Sequence, residues 1–231
     1  MVTPPPHLLT RPPVVADPEA IEAFDALYDA AVATGPEAPI DYTLPWPRWQ
    51  FIAHVSDTRG VVVHGSQNTA IELFEPRQSN DAHPFGDRAA VFGSTDGLWS
   101  MYYAILDRAT FPMLLLNAAV RLEGEDGELG EPLYFFSISD KALAQRPYAP
   151  GMIYFLPADG FESMAPIMAG QTRVHGAQNA SLSPVRPLAR IAVDPEDFPF
   201  LVQMRGHDDE TVLRRIKEDP DGFPWVDEKA T

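Results

Sequence analysis

Val61-Val62-Val63-His64-Gly65-Ser66 is the stretch that decides how the rest of this chain is read. Three valines in a row favour extended backbone, because a branched Cβ is crowded in a helix and fits a pleated surface. The run ends by placing an imidazole, a residue without a Cβ and a hydroxyl at one strand end. Thirty residues on, Val91-Phe92-Gly93-Ser94-Thr95-Asp96 predicts a second strand, and Ser100-Met101-Tyr102-Tyr103-Ala104 falls in a helix that follows it. One hydrogen-bonding ring, one bare stretch of backbone and one aromatic face are the parts needed to grip a flat, polar ligand.

Upstream of that strand, residues 1–16 hold five prolines and no helical or strand period, and read as an extended arm. Asp17-Pro18-Glu19 is a helix start, with a capping side chain, a proline at the first helical position and an acid in the first turn. Ile21, Phe24, Leu27, Tyr28, Ala31 and Val32 form the apolar face, and Gly35-Pro36 ends the helix. Trp49, Phe51, Ile52 and Val55 predict a short helix over Arg48 to Thr58, so residues 17–58 form an N-terminal helical part. Downstream, Phe74 to Arg88 reads as an irregular loop, 97–108 as a helix and the acidic, Gly-rich Glu123–Glu128 as a solvated turn. Strands are expected at Leu133–Ser139, Met152–Leu156, Gln171–Val174 and Pro187–Val193, and a last helix at Asp208–Glu218. No repeat or linker-like shift divides the chain. Residues 1–231 therefore read as one α+β domain, with a strand-dominated mixed sheet over about 60–200 and helices mostly toward its N-terminal side.

Composition narrows the partners. The 231 residues are 45% hydrophobic, enough for a sizeable core, and no apolar run approaches the roughly 20 residues of a membrane span. There is no cysteine, hence no disulfide framework and no thiolate metal site. The opening Met1-Val2-Thr3-Pro4 has none of the regions of a signal peptide, and a cytoplasmic bacterial protein is expected. Net charge is −16, and Lys141, Lys217 and Lys229 are the only lysines. Such a surface repels a polyanion, so nucleic acid is an unfavourable partner, while a small anion next to one arginine remains compatible.

Taken together, His64-Gly65-Ser66 on a strand, Val91–Asp96 leading into Ser100-x-x-Tyr103-Ala104, and Ile71-Glu72-Leu73-Phe74-Glu75-Pro76-Arg77 resemble the ADP-ribosyltransferase-like fold of the His-Tyr-Glu branch. The small bacterial members of that branch are the nearest in appearance, over about residues 60–200. The resemblance implies split mixed or antiparallel sheets with NAD, as substrate, in the cleft between them. It implies transfer of ADP-ribose to an acceptor with loss of nicotinamide. By resemblance His64 holds the adenosine ribose, Gly65 exposes backbone to the nicotinamide amide, and Tyr103 stacks on the nicotinamide ring. Tyr102 takes that place if the register shifts by one. Ser66 or Ser94 is a candidate donor to a ribose or amide oxygen, and Arg77, more than Arg88, a candidate clamp for the pyrophosphate. The family's glutamate is expected within Gln178-Asn179-Ala180-Ser181, just before Pro184-Val185-Arg186-Pro187-Leu188, so Gln178 stands in its place. A glutamine holds a ribose hydroxyl but adds no negative charge opposite a developing cation, a loss of the kind that costs about 10²–10³ in rate. Glu162 is the nearest late carboxylate that could substitute. A non-catalytic nucleotide-binding or interaction module on the same fold is therefore the alternative. An RNA 2′-phosphotransferase is a second alternative, opposed by the acidity.

Each of these residues also has a plain structural reading. His64 fits a capped histidine at a strand end, Gly65 a bend, and one of Tyr102 and Tyr103 must be core beside Leu98, Trp99, Met101 and Leu106. Arg77 and Arg88 fit exposed arginines paired with Glu75 or Asp81. His54, His83 and His175 show no ligand spacing, so no metal is expected. Gly65-Ser66-Gln67-Asn68 lacks the G-x-S-x-G elbow of a serine hydrolase.

Overall fold

The computed structural model describes residues 4–81 and 83–226, so the first three residues of the arm and Lys229 lie outside the described residues. Within the arm, Leu9–Thr10 forms a two-residue strand, β1. Helix α1 (Pro18–Thr34) begins as its sequence dictates, with the Asp17 carboxylate accepting the Glu19 N–H at 3.1 Å. Gly35, at φ 95°, ends it in a conformation that favours glycine. Helix α2 (Arg48–Thr58) buries Phe51, Ile52 and Val55.

β2 (Val61–Ser66) is followed by β3 (Arg77–Gln78), β4 (Ala89–Ser94) and α3 (Gly97–Ala104). Then come β5 (Leu115–Leu122), β6 (Leu133–Ser139), the single-turn α4 (Asp140–Leu143) and β7 (Gly151–Pro157). The second half continues with β8 (Glu162–Ser163), β9 (Ile167–Ala169), β10 (Thr172–Gly176), β11 (Gln178–Ser181), β12 (Ala189–Val193), β13 (Arg205–His207) and α5 (Asp209–Glu218). The strands form two sheets. One runs β12-β7-β2-β4-β11-β8 with β3 beside β4; the other runs β1-β6-β5-β10-β9 with β13 beside β6. Every strand pair is antiparallel except β13–β6. The fold is mixed α and β, built on two largely antiparallel sheets. The main core gathers α1, α2 and α3 with Val61, Val63, Ile153 and Phe155 of the first sheet and Tyr134, Phe136 and Ile138 of the second. A smaller cluster of Val62, Phe74, Val91, Met152, Tyr154 and Leu156 covers the other face of the first sheet.

Several expectations need correction, and β1, β8, β9, β11 and β13 are short strands that the sequence reading did not predict. The helix predicted to reach residue 108 stops at Ala104. There the chain turns into backbone pairing with 147–149, where the Ala149 N–H donates to the Ile105 carbonyl and Leu106 bridges to Tyr148. Long-range pairing overrides helix propensity at that point. The eight-residue strand β5 is absent from the sequence reading. Its Leu115-Leu116-Asn117-Ala118-Ala119-Val120 has no alternation, because both faces are at least half-buried, and periodicity cannot type such a run. The loop from Phe74 to Arg88 carries β3, a short addition to the edge of β4.

Candidate functional site

β2 is bonded unequally along its two edges. Toward β7 it pairs through all six residues, from Val61↔Pro157 to Ser66↔Met152. Toward β4 it pairs at one position, Val63↔Ser94. Beyond Val63 the two strands part, and the His64 imidazole fills the gap, its Nδ1 lying 2.7 Å from the Phe92 carbonyl oxygen. A carbonyl only accepts, so Nδ1 carries the proton and Nε2 is left as an acceptor. Burial pushes the His64 pKa below its ordinary value, against a smaller upward pull from the Phe92 hydrogen bond. The ring is neutral at neutral pH.

The split opens on a cleft of about 470 Å³. His64 and Ser66 of β2 and Ala90, Val91 and Phe92 of β4 line one side, and the segment from Asn68 to Ser79 lines the other. Phe74 packs edge-on to His64, with ring centres 4.7 Å apart. Glu72, Glu75 and Arg77 are exposed on the cleft wall, and Arg77 forms no ion pair among the described residues. Ser66 Oγ accepts the Asn68 N–H at 3.1 Å and so shapes the start of that wall. His64, Ser66 and Arg77 thus share one cleft.

The other expected residues lie elsewhere. The unbroken register of β2 on β7 keeps its side chains alternating between faces. Gly65 points to the face opposite His64, where α3 lies directly on it: a Cβ would collide with the Ser100 carbonyl oxygen. Gly151 on β7 meets the Ala104 carbonyl in the same way. Gly65 is therefore glycine so that a helix can approach, and its α3 face has no room for a ligand amide. Ser100 Oγ seals that contact by donating to the Val63 carbonyl at 2.9 Å.

Both tyrosines belong to the α3 face. Tyr102 is wholly buried and donates to the Ser137 carbonyl at 2.9 Å, which makes it the core member of the pair. Tyr103 donates to Asn117 Oδ1 at 2.8 Å, beside the indole of Trp99, which donates to the same oxygen at 2.6 Å. Burial drives the Tyr103 phenol up to about 12, so it stays protonated. Asp96 fixes the helix: one oxygen accepts the Trp99 N–H at 2.9 Å and the other the Tyr134 hydroxyl at 2.6 Å. Burial raises the Asp96 pKa, and those two hydrogen bonds oppose the rise. The expected meeting of His64 with Tyr102 or Tyr103 in one hollow does not occur, because the sheet and the Gly65–Ser100 contact stand between them.

Gln178 opens β11 and pairs with Ser94, which pairs in turn with Val63. Residues in register share a face, so Gln178 and Ser94 are on the α3 side with Val63, away from His64. Ser94 is buried, and its Oγ accepts the Asp96 N–H at 2.8 Å. Glu162 pairs with Arg88 at 2.5 Å, and Arg88 stacks over the Phe85 ring at 4.3 Å, so neither lines the cleft.

Among the described residues no group of three or more His, Asp or Glu is placed to hold a metal ion, and no helix is long and apolar enough to cross a membrane. The sequence reading missed Tyr154 and the wall-forming role of Asn68 and Phe74. Tyr154 sits mid-run in an apolar strand buried on both faces, where no alternation marks which side a residue serves. Comparison with protein-family models, with curated proteins and with solved structures finds no match to this chain.

Proposed function

We propose that this protein is a nucleotide-binding module whose ligand occupies the cleft at the β2–β4 split. The observation that carries the reading is the split itself: a sheet that spends a histidine side chain in place of a backbone rung leaves a lined opening beside that histidine. His64 Nε2 accepts from a ribose hydroxyl, the Phe74 edge borders a flat ring, and the Arg77 fork takes a phosphate. Glu72 and Glu75 flank that arginine and disfavour a polyanion, which argues for a small ligand over RNA. NAD is the first ligand to test, since His64-Gly65-Ser66 resembles the NAD-holding strand of the ADP-ribosyltransferase-like fold, with the cleft here opening within one sheet rather than between the two.

The arrangement favours recognition over the catalytic part of that resemblance. Nicotinamide release needs an aromatic face and an acidic group on the ligand's side. Here Tyr103 and Gln178 lie across the sheet from His64, and position 178 has no charge. Recognition without turnover fits this arrangement better than transfer to an acceptor. Free nucleotides are abundant in the cytoplasm, the compartment that goes with this proposal.

Calorimetric titration with NAD and ADP-ribose tests the reading. Binding that weakens about tenfold or more in His64→Ala is expected, on the scale of one lost hydrogen bond in a partly buried site. Absence of heat at millimolar ligand removes it. Release of nicotinamide that is lost in Tyr103→Ala would restore the enzymatic reading instead.

A further inference from the structure

The outer wall of the cleft is tied down from beneath by one buried phenol. Tyr154 lies on β7 as the register partner of His64, so both side chains leave the sheet on the same face. It has no solvent exposure. Its hydroxyl donates to the Asn68 carbonyl at 2.7 Å and accepts the Ile71 N–H at 3.1 Å. Its ring meets Phe74 edge-on at 5.2 Å, and Phe74 meets His64 at 4.7 Å. One hydroxyl thus closes two main-chain groups of the wall, and its ring reaches His64 through a single intervening aromatic.

The remaining ties of this wall are of other kinds. The Asn68 side chain accepting the Ala70 N–H is a local turn that travels with the chain wherever the chain goes. Arg190, half-buried, holds the Thr69 carbonyl, the backbone pair Phe74–Val185 bonds at 2.8 and 2.9 Å, and the pairing of β3 with β4 anchors the far end. Tyr154 is the wall's fully buried side-chain attachment, at Asn68 and Ile71, and stands in the same row as His64.

We propose that Tyr154 is the positioning residue of the His64 cleft: through Asn68, Ile71 and Phe74 it holds the wall at the distance from His64 that ligand binding requires. The proposal rests on the nucleotide-binding reading for its second consequence and on the ligand-free protein for its first. Tyr154→Phe keeps the ring and removes the hydroxyl alone. In the ligand-free protein, amide hydrogen exchange at Ile71 is expected to rise about tenfold, the scale of one net hydrogen bond, while Val61 to Val63 of β2 keep their protection. NAD affinity is expected to fall about three- to tenfold. In the double variant with His64→Ala the loss is expected to be smaller than the product of the two single losses, because both act on one wall-to-ring geometry.

Unchanged Ile71 exchange overturns the proposal. So does a loss of protection spread evenly over β2 and β7, which would make Tyr154 a general packing residue, or strictly multiplicative losses in the double variant. If NAD fails to bind even the unaltered protein, the nucleotide reading falls, and the Ile71 measurement still decides whether Tyr154 holds the wall.

Discussion

The two faces of β2 have opposite fates. On one, Val61, Val63 and Gly65 are pressed under α2 and α3 in the main core, with a glycine where even a methyl group has no room. On the other, Val62, His64 and Ser66 progress from a small apolar cluster to the lining of an open cleft. The same six residues build a dry joint and a wet site, because alternation sends neighbours in opposite directions. The lesson is that a histidine and a glycine adjacent in sequence need not serve one ligand. In a regular strand they serve two different surfaces.

The most severe way to break this contrast is Gly65→Ala. The added methyl meets backbone, which cannot rotate away, so α3 must shift and stability falls by about 3 kcal/mol. Denaturant unfolding measures it. Gly93→Ala is the matching probe on the cleft face, where the added methyl first meets a Val62 methyl. It is expected to cost clearly less, and equal costs would remove the distinction between the faces.

The adjacent tyrosines sharpen the same comparison. Tyr102→Phe leaves the buried Ser137 carbonyl short of a donor and is expected to cost about 1–2 kcal/mol. Tyr103→Phe leaves Asn117 still bonded to Trp99, and the expected loss is smaller. Parallel thermal melts of the two variants check the order.

A pH effect follows from His64. Its pKa is lowered in the folded protein, so at mildly acid pH the unfolded chain binds the proton more readily. The stability it contributes is present above the ordinary histidine value of about 6.5 and is lost as pH falls toward the lowered one. His64→Gln should therefore lose less stability than the unaltered protein between pH 7 and pH 5. Identical pH slopes in the two proteins would sink this assignment. His207 titrates in the same direction, also through burial, and contributes equally to both. Arg77→Ala is expected to have the smallest effect on folding, within about 0.5 kcal/mol for an exposed residue, while still weakening NAD. A melting shift as large as that of Tyr102→Phe would show that Arg77 holds the fold and not a ligand.

Much of the secondary structure was legible. Asp17-Pro18 gave the start of α1, Trp49 to Val55 gave α2, and the valine run gave β2, because caps, breakers and β-branched residues act within a few positions. What stayed illegible has one physical origin. The strand β5, the early end of α3 and the face assigned to Tyr154 depend on partners from about 15 to 86 positions away in the chain, as in the pairs Ala119↔Tyr134, Leu106↔Tyr148 and Tyr154–Asn68. The candidate site was legible in part for the same reason. His64, Ser66 and Arg77 share a cleft, whereas Gly65, Ser94, Tyr102, Tyr103 and Gln178, named for the same ligand chiefly on the resemblance, lie across the sheet.

By itself, then, the sequence determined where α1, α2 and β2 begin and which residue types stand at the end of β2, since those depend on local sterics and hydrogen bonding. The tertiary structure alone decided which of those residues meet. The split between β2 and β4 and the seating of α3 on Gly65 set that outcome, and both arise from contacts that no local preference specifies.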